Sequence, residues 1–374
     1  MQPLFSVIIP CYNQAIYLSD CLHSLLDQTF IDWEAIVIND GSTDNTTEIA
    51  NQFCKQDQRI KLSEKINGGL SSARNQGIQL SKGKRIIFLD ADDFLYSNCL
   101  QEINTALLVA NDNHLVQFGY TYISEHKDKI LHTTLPIKYK DFRSKVISGV
   151  PGPCHTFCIS KDMVDKIGFF DENLKSLEDW DYWLRAVKVG ALQLIIEKPL
   201  AYYRYVRNSM SRNAFVMYDS FKKVGARAPK QDTRILIDSP FNQDVDYDMK
   251  LVFQEFLIRI LGVSIMQGKI NESIELFQKE ATKPINTFNA AEFESMCSYL
   301  SFRYWYSKED IKFVFTSIYP HFVSFFKQIS INSQTRNKVL FIIFKRHFFY
   351  KNIFKYGKLL GSILNLLLRR RYQQ

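Results

Sequence analysis

Short apolar segments alternate with helical patterns along the N-terminal part of this chain. The apolar segments, rich in Ile, Val and Phe, cover residues 5–10, 33–39, 60–62 and 85–89. Strands that are separated by helices form right-handed βαβ units, and their strands run parallel. The pattern predicts an α/β fold in which a mostly parallel sheet is flanked by helices.

Three carboxylates follow the fourth apolar segment in RIIFLDADDFLY: Asp90, Asp92 and Asp93. Ligands bind a parallel sheet beyond the carboxyl ends of its strands, where these side chains should lie. Three interpretations are open: an ordinary polar turn, a pair of carboxyl groups that share a proton, or a site for Mg²⁺ or Mn²⁺. The cation site explains the number of charges best, because a divalent ion can bridge carboxylates and a diphosphate.

Residues at the ends of the other predicted strands, and on the helix that follows the third, favour a nucleotide ligand. In chain order they are Pro10, Tyr12, Asn13, Asp40, Asn67, Gly69, Arg74 and Asn75. The carboxylate of Asp40 can accept hydrogen bonds from a pyrimidine or a ribose, and the helix after Gly69 begins with unsatisfied N–H groups. The sequence contains neither the dinucleotide-binding nor the P-loop glycine signature, which excludes those two classes.

Four motifs follow one another in the N-terminal third: SVIIPCYNQ, VINDGSTDNT, NGGLSSARNQG and FLDADD. Together they resemble the inverting, GT-A-fold glycosyltransferases of family 2. The similarity continues through GFFDENL, LEDWDYWLR and YYRYVRNSMS. The resemblance implies a GT-A, Rossmann-like sheet followed by an α-helical C-terminal region. It also implies a nucleoside-diphosphate-sugar donor, foremost a UDP-sugar, and a divalent metal, Mn²⁺ or Mg²⁺.

The resemblance assigns roles to individual residues. Asp40 matches the carboxylate that recognises the base, and Asp90 and Asp92 match the DxD pair, with Asp92 and Asp93 expected to bind the metal. The other expected nucleotide-sugar contacts are Pro10, Tyr12, Asn13, Asn67, Gly69, Arg74, Asn75 and Arg204. Arg204 matches a basic residue in a loop that closes over the diphosphate. The sequence departs from the family at Val206, where members often carry a His.

Asp179 matches the catalytic base of the family. From the residues alone, a helix-terminal acid is the favoured alternative, because Glu178, Asp179 and Asp181 begin a helical stretch and gain from its dipole. The upstream motifs make the base the better interpretation. His155, Glu178 and Trp180 are candidate contacts to the acceptor, although a structural His and a Trp in the core explain the same residues.

We expect three regions: a catalytic domain over 1–215, a helical region over 216–335 and a basic tail over 336–374. The net charge of the chain is +8, and the tail holds ten Lys or Arg residues and no acid. Its Phe, Leu and Ile content predicts an amphipathic helix on an anionic membrane surface. Nucleic-acid binding fits this aliphatic content less well, and a core helix with a basic rim is a further alternative.

The sequence therefore predicts a metal-dependent hexosyl- or N-acetylhexosaminyltransferase. It would act on a saccharide or lipid-linked saccharide in the biosynthesis of a cell-surface polysaccharide. A non-catalytic scaffold that binds sugar nucleotides is the alternative. The sequence shows no signal-peptide pattern and no apolar run of spanning length, and its seven cysteines are scattered. We expect a cytoplasmic protein, peripheral on the inner face of the membrane, that binds no nucleic acid.

Overall fold

The computed structural model describes residues 2–206, 213–298, 313–334, 336–337, 339–340, 359–360 and 363. The chain divides into two compact units. The first, called the sheet unit, comprises Met1–Met210 and Ser220–Met249. The second, called the helical unit, comprises Ser211–Asp219 and Lys250–Gln374. The domain boundaries expected after residues 215 and 335 stay predictions.

One sheet runs through the sheet unit. Its strands are β1 (Phe5–Cys11), β2 (Trp33–Asn39), β3 (Ile60–Glu64), β4 (Arg85–Phe88), β5 (Phe94–Leu95), β6 (His114–Ile123), β7 (Ile130–Thr134), β8 (Phe157–Ser160) and β9 (Leu192–Arg204). Its helices are α1 (Ala15–Leu26), α2 (Thr46–Gln56), α3 (Leu70–Leu80), α4 (Cys99–Leu107), α5 (Phe142–Ser148), α6 (Lys161–Ile167) and α7 (Glu178–Lys188). Helix α8 (Ala214–Arg227) contains residues of both units.

The strand order is β3–β2–β1–β4–β8–β6–β9–β5, and β7 also pairs with β6. Strands β3, β2, β1 and β4 run parallel, as do β6 and β9. Strand β8 runs antiparallel between β4 and β6, and β5 and β7 are antiparallel to β9 and β6. The fold-class prediction is confirmed, since helices flank a sheet whose first four strands are parallel and a helical region follows.

Strand β9 differs from the sequence pattern, which predicts two strands over 192–196 and 201–205. The structure has one strand, whose register on β6 shifts around Gly119. Pro199 lies opposite Gly119 at this irregularity. Proline has no N–H to donate to the ladder, so it is tolerated in a strand at such a position.

The central strand β1 is buried on both faces. Val7, Ile8 and Ile9 are fully buried, as expected where helices cover both sides of a parallel sheet. Helix α3 comes very close to β1 at Gly77, where a Cβ atom would lie 2.2 Å from Cγ2 of Ile8. This contact fixes α3, whose N-terminus lies at the carboxyl edge of the sheet.

Gly77→Ala tests this packing. At an exposed helix position Ala is more stable than Gly by roughly 1 kcal/mol. Here the added methyl group overlaps Ile8, so we expect overpacking to destabilise the sheet unit by about 1–3 kcal/mol in urea unfolding. Gln79→Ala, at an exposed position of the same helix, is the control and should change stability by less than about 0.5 kcal/mol. Equal effects of the two variants would contradict the close contact.

A buried charge cluster fixes helix α7 against Ser220–Met249. Asp181 is 1% exposed and lies 2.8 Å from Arg234 and 3.2 Å from Arg185 and Arg227. Buried carboxylates are retained where cations and hydrogen bonds compensate their desolvation. The cluster therefore holds the helix whose first turn carries three of the predicted site residues, Glu178, Asp179 and Trp180.

The helical unit contains α9 (Lys250–Met266), α10 (Ile270–Glu280), α11 (Ala290–Met296) and α12 (Tyr319–Gln328). Helix α9 touches the end of α11 at Gly262, where a Cβ atom would overlap the carbonyl group of Met296. Within the described ranges, no helix is both long enough and apolar enough to cross a membrane. The tail predicted over 336–374 lies almost wholly outside the described residues.

Candidate active site

The three carboxylates that follow β4 lie on one tight turn, residues 90–93. The N–H of Asp93 donates to the carbonyl oxygen of Asp90 at 3.0 Å. Leu89 and Ala91 are fully buried, so apolar side chains anchor the turn from within the core. The carboxylates are thereby held at the carboxyl edge of the parallel strands, as the sequence predicts.

Arg204, the last residue of β9, makes four polar interactions, and two of them fix the turn. Its backbone N–H donates to Oδ1 of Asp93, and its Nε donates to the carbonyl oxygen of Asp92, both at 2.8 Å. The guanidinium group also reaches the carbonyl oxygen of Glu125 at 2.8 Å and the carboxylate of Asp20 at 2.7 Å. Arg204 is buried in this arrangement, and its predicted contact with a diphosphate stays a prediction.

His155 lies against Asp93 from the short 3₁₀ turn Cys154–Thr156. The ring is 1% exposed, and its Nδ1 lies 2.8 Å from Oδ2 of Asp93. This distance suits an ion pair. Burial opposes a charge on the ring, but Asp93 outweighs that effect and raises the pKa of His155. The predicted contact of His155 with an acceptor stays a prediction.

The surroundings of Asp92 destabilise the ionised form of its carboxylate. Burial, and then the negative charges of Asp93 and Asp90, raise the pKa of Asp92 well above its usual range. Ligand atoms of Asp90, Asp93 and His155 lie within 4.8 Å of one another. Carboxylate oxygens with an imidazole nitrogen suit Mn²⁺, and the carboxylates alone suit Mg²⁺. The residues of this turn therefore fit a divalent cation, which would relieve the repulsion.

Arg74 joins the turn to helix α7. Its Nη2 lies 2.8 Å from Oδ1 of Asp90, and its Nη1 lies 2.6 Å from Oε1 of Glu178. The guanidinium group is buried and lies over the ring of Phe170 at 5.4 Å. One arginine thus ties the first turn of α7 to the carboxylate turn, and the predicted contacts of Arg74 and Glu178 with ligands stay predictions.

Asp179 lies in the first turn of α7. Leu177, just before the helix, has a φ of 58°, a left-handed conformation that is uncommon for a bulky residue. Burial and the neighbouring Glu178 raise the pKa of Asp179 to about 7, although Arg74 acts in the opposite direction. A carboxylate that titrates near neutral pH is suited to accept a proton during a reaction.

Trp180 belongs to the core. It is 0% exposed, its Nε1 donates to the carbonyl oxygen of Val146 at 2.7 Å, and its ring stacks on Phe221 at 4.9 Å. The predicted contact of Trp180 with an acceptor stays a prediction. The structure places Trp180 in the core, which is the alternative interpretation of this residue.

Asp40, just after β2, organises the loop that precedes α3. Its Oδ1 accepts hydrogen bonds from the N–H of Gly68 at 2.9 Å and from Nζ of Lys65 at 2.7 Å. Its Oδ2 accepts from the N–H of Gly69 at 2.7 Å, and the side chain of Asn67 donates to its carbonyl oxygen at 2.9 Å. The carboxylate shapes the loop, and its recognition of a base stays a prediction.

Asp40→Asn tests this organising role. The amide nitrogen of Asn cannot accept a hydrogen bond, so one N–H group of the loop loses its acceptor and Lys65 loses its counter-charge. A lost buried hydrogen bond costs about 1–3 kcal/mol. We therefore expect backbone hydrogen exchange over residues 65–69 to accelerate roughly ten- to hundredfold. Asp27→Asn, an exposed position, is the control; unchanged exchange in both variants would contradict the role.

Asn13 shapes the neighbouring loop. Its Oδ1 accepts from the N–H of Thr43 at 2.8 Å, and its own N–H donates to Oγ of Ser42 at 2.9 Å. Asn13 has a φ of 51°, which Asn tolerates better than most residues. Tyr12 beside it is 50% exposed, so its ring is accessible to a base, whereas Pro10 is buried within β1.

Asn75 is directed away from the loop that Asp40 organises. Its side chain exchanges hydrogen bonds with the N–H of Phe170 at 2.8 Å and the carbonyl oxygen of Phe170 at 3.0 Å. It also donates to Glu172 at 2.9 Å. These bonds use the amide to hold the turn at residues 170–172, and the predicted contact of Asn75 with a nucleotide stays a prediction.

A cavity of about 90 Å³ lies between the N-terminus of α3 and the segment before α7. Its lining residues are Gly68, Gly69, Leu70, Ser71, Glu172, Leu174, Lys175 and Glu178. The Oγ of Ser71 is buried and has no hydrogen-bond partner in the part of the chain that the structure describes. Sequence reasoning did not identify Ser71, Glu172 or Lys175, and only their places in or beside the NGGLSSARNQG and GFFDENL motifs pointed towards them.

The sequence is similar to that of known proteins over much of its length. Residues 6–168 match the family described as glycosyl transferase family 2. The chain is 32% identical over 216 residues to the putative teichuronic acid biosynthesis glycosyltransferase TuaG of Bacillus subtilis, a match that covers 57% of this chain and 83% of TuaG. It is 26% identical over 299 residues to the hyaluronan synthase of Pasteurella multocida, covering 71% of this chain and 28% of the synthase.

A solved structure resembles most of the chain. It is residues 1–349 of S. aureus TarS in complex with UDP-GlcNAc, which matches with a TM-score of 0.51 and 18% identity. The match covers 93% of this chain and 91% of the TarS chain. At this identity the likeness shows a shared fold.

Proposed function

This chain belongs to glycosyl transferase family 2 and is a glycosyltransferase with the GT-A fold, and we propose that it is an inverting enzyme using a UDP-sugar. It would move a hexosyl or N-acetylhexosaminyl group to a hydroxyl group of the acceptor. The observation that carries the proposal is Asp179, a carboxylate with a pKa of about 7. Asp179 adjoins Glu178, which Arg74 ties to the carboxylate turn.

Asp179 acts as the general base in this proposal. Its ionised carboxylate accepts the proton of the acceptor hydroxyl while the oxygen attacks the anomeric carbon. The bond from that carbon to the diphosphate breaks on the opposite face, and its electron pair leaves with UDP, so the configuration inverts. Arg74 pairs with Glu178 and Asp90, whereas Asp179 forms no ion pair among the described residues.

A divalent metal fits the turn at residues 90–93 and, when bound, stabilises negative charge on the leaving diphosphate. We propose that Asp92 and Asp93 hold it. Arg204 keeps both residues in place through its hydrogen bonds to the turn. The raised pKa of Asp92 supports this assignment, because a cation favours the ionised carboxylate.

The proposed donor is a UDP-sugar, and the acceptor is a saccharide or lipid-linked saccharide of a cell-surface polysaccharide. The TarS structure of similar fold holds UDP-GlcNAc, and the names of the relatives refer to teichuronic acid biosynthesis and hyaluronan synthesis. The cavity beside Glu178, with the unpaired hydroxyl of Ser71, has room for part of a donor. The loops shaped by Asp40 and Asn13 would receive the nucleoside.

A panel of nucleotides tests the donor. UDP, GDP and dTDP are added to the full chain with and without Mn²⁺, and the melting temperature is recorded. A ligand that binds the folded state stabilises it by mass action. We expect UDP with Mn²⁺ to give the largest increase, and Asp179→Asn to give the same increase. Equal or larger stabilisation by GDP or dTDP would contradict the choice of UDP.

We also propose that the protein acts on the cytoplasmic face of the membrane, to which the basic tail over 336–374 binds. The ten cationic residues of the tail support this proposal, since each Lys or Arg near an anionic surface adds about 1 kcal/mol. Flotation with anionic liposomes should recover the full chain but not a chain that ends at Ile331. Equal recovery of the two would contradict membrane binding by the tail.

A further inference from the structure

Two buried polar atoms face each other at the carboxylate turn, Nδ1 of His155 and Oδ2 of Asp93. Among the residues described, neither atom is hydrogen-bonded to a third group. The same holds for Nε2 of the ring. Buried polar atoms without such bonds are rare, and they often belong to an ion site or to another functional site. Their separation of 2.8 Å suits two ligands on one octahedral cation, which lie about 3 Å apart when each bond is about 2.1 Å.

The neighbouring rings determine where the imidazole lies. The ring of Tyr203 lies at 5.0 Å and that of Tyr120 at 6.2 Å from the ring of His155, both nearly perpendicular to it. These aromatic contacts keep the imidazole beside Asp93. A side chain held in one orientation loses little entropy when it binds a ligand.

The ion pairs of the two nearby arginines, Arg74 and Arg204, also favour a cation at the turn. Arg74 divides its charge between Asp90 and Glu178. The guanidinium group of Arg204 forms its ion pair with Asp20. The backbone N–H and Nε of Arg204 donate hydrogen bonds to the turn. Among the described residues, neither arginine therefore forms an ion pair with Asp92 or Asp93. These carboxylates with an imidazole nitrogen make a site for a dication.

We propose that His155 is a further ligand, through Nδ1, of the metal that Asp92 and Asp93 hold, with Oδ2 of Asp93 beside it and Asp90 facing the same ion. The inference deepens the proposed function, on which it rests. An imidazole nitrogen binds Mn²⁺ more readily than Mg²⁺, so the site selects Mn²⁺. Family members often carry a His at the position of Val206, whose side chain offers no ligand atom. In this chain, His155 would supply the imidazole nitrogen instead.

Electron spin-echo spectroscopy of Mn²⁺ bound to the full wild-type chain tests the assignment directly. A coordinated imidazole gives nitrogen modulation, and ¹⁵N-labelled histidine changes its frequency. We expect this modulation in the wild type and its loss in His155→Asn. Loss of a ligand or of its support lowers metal affinity roughly 10- to 100-fold, so the Mn²⁺ dissociation constant should rise by that factor. Modulation that is absent from the wild type, or that persists in His155→Asn, would overturn the assignment.

Two controls separate this outcome from others. His126→Asn, an exposed histidine, should leave both the affinity and the modulation unchanged. Asp93→Asn should weaken Mn²⁺ binding as His155→Asn does, and metal-free melting curves identify a variant that does not fold. Failure of the proposed function is distinguishable, because it would appear as wild-type protein that releases no UDP from any UDP-sugar, whatever the spectrum of its Mn²⁺.

Discussion

Asp179→Asn is expected to lower the rate of UDP release from a UDP-sugar by about 10²–10⁴. The amide has nearly the shape of the carboxylate but cannot accept a proton at neutral pH. Donor affinity should be unchanged, because the proton is accepted only during the reaction. Initial rates of UDP release with Mn²⁺ and a donor titration by calorimetry measure the two quantities.

Asp162→Asn is the matched control. Asp162 occupies the second position of α6 as Asp179 does in α7, and it is exposed. Its replacement removes a first-turn acid of similar dipole effect and should leave the rate unchanged. Turnover by Asp179→Asn at the wild-type rate would remove Asp179 from the role of base.

The same residue sets the expected pH dependence. Burial and Glu178 raise the pKa of Asp179 to about 7, and only the ionised carboxylate accepts a proton. The rate at low donor concentration should therefore rise through about pH 7 and level off above it. The folded pKa also exceeds the ordinary value of 3.8, so the ionised group destabilises the fold above neutrality. Asp179→Asn should then melt no lower than the wild type at pH 8.

Arg74→Met is expected to destabilise the sheet unit by about 3–5 kcal/mol, the cost of leaving a buried carboxylate without its partner. Glu178 is buried and loses its ion pair with Arg74, while Asp90 loses the same cation. Urea unfolding followed by tryptophan fluorescence measures the loss. Three of the four tryptophans, Trp33, Trp180 and Trp183, belong to the sheet unit.

Lys161→Met provides the contrast for Arg74→Met. Lys161 forms an exposed pair with Asp165 at 3.2 Å on helix α6. Exposed pairs of this kind contribute about 0.5 kcal/mol or less. Similar losses of unfolding free energy in Lys161→Met and Arg74→Met would contradict a stabilising role of Arg74 between the turn and α7.

The first half of the sheet could be predicted from the sequence because its signals are local. Alternation of apolar strands with helices defines parallel βαβ units, and the carboxyl ends of parallel strands meet at one edge. Asp40 and the turn at residues 90–93 lie there for that reason. Asp179 was identified differently, by resemblance, since its surroundings alone favour an ordinary helix-terminal acid.

Contacts between distant residues could not be predicted in this way. Arg74 and Glu178 are 104 positions apart, and no periodicity relates such residues. Neighbours on a helix also point in directions about 100° apart. Arg74 therefore faces Glu178 while Asn75, one position on, faces the turn at Phe170, although both belong to one motif.

The position of the donor is the most direct test of the account. A crystal of the full chain grown with Mn²⁺ and UDP, measured at the manganese absorption edge, locates the metal and the nucleotide together. We expect one anomalous peak between the diphosphate and the carboxylates of Asp92 and Asp93, with Asp179 on the open side of the diphosphate. A nucleotide on another face of the sheet unit, or a metal bound away from this turn, would contradict the account.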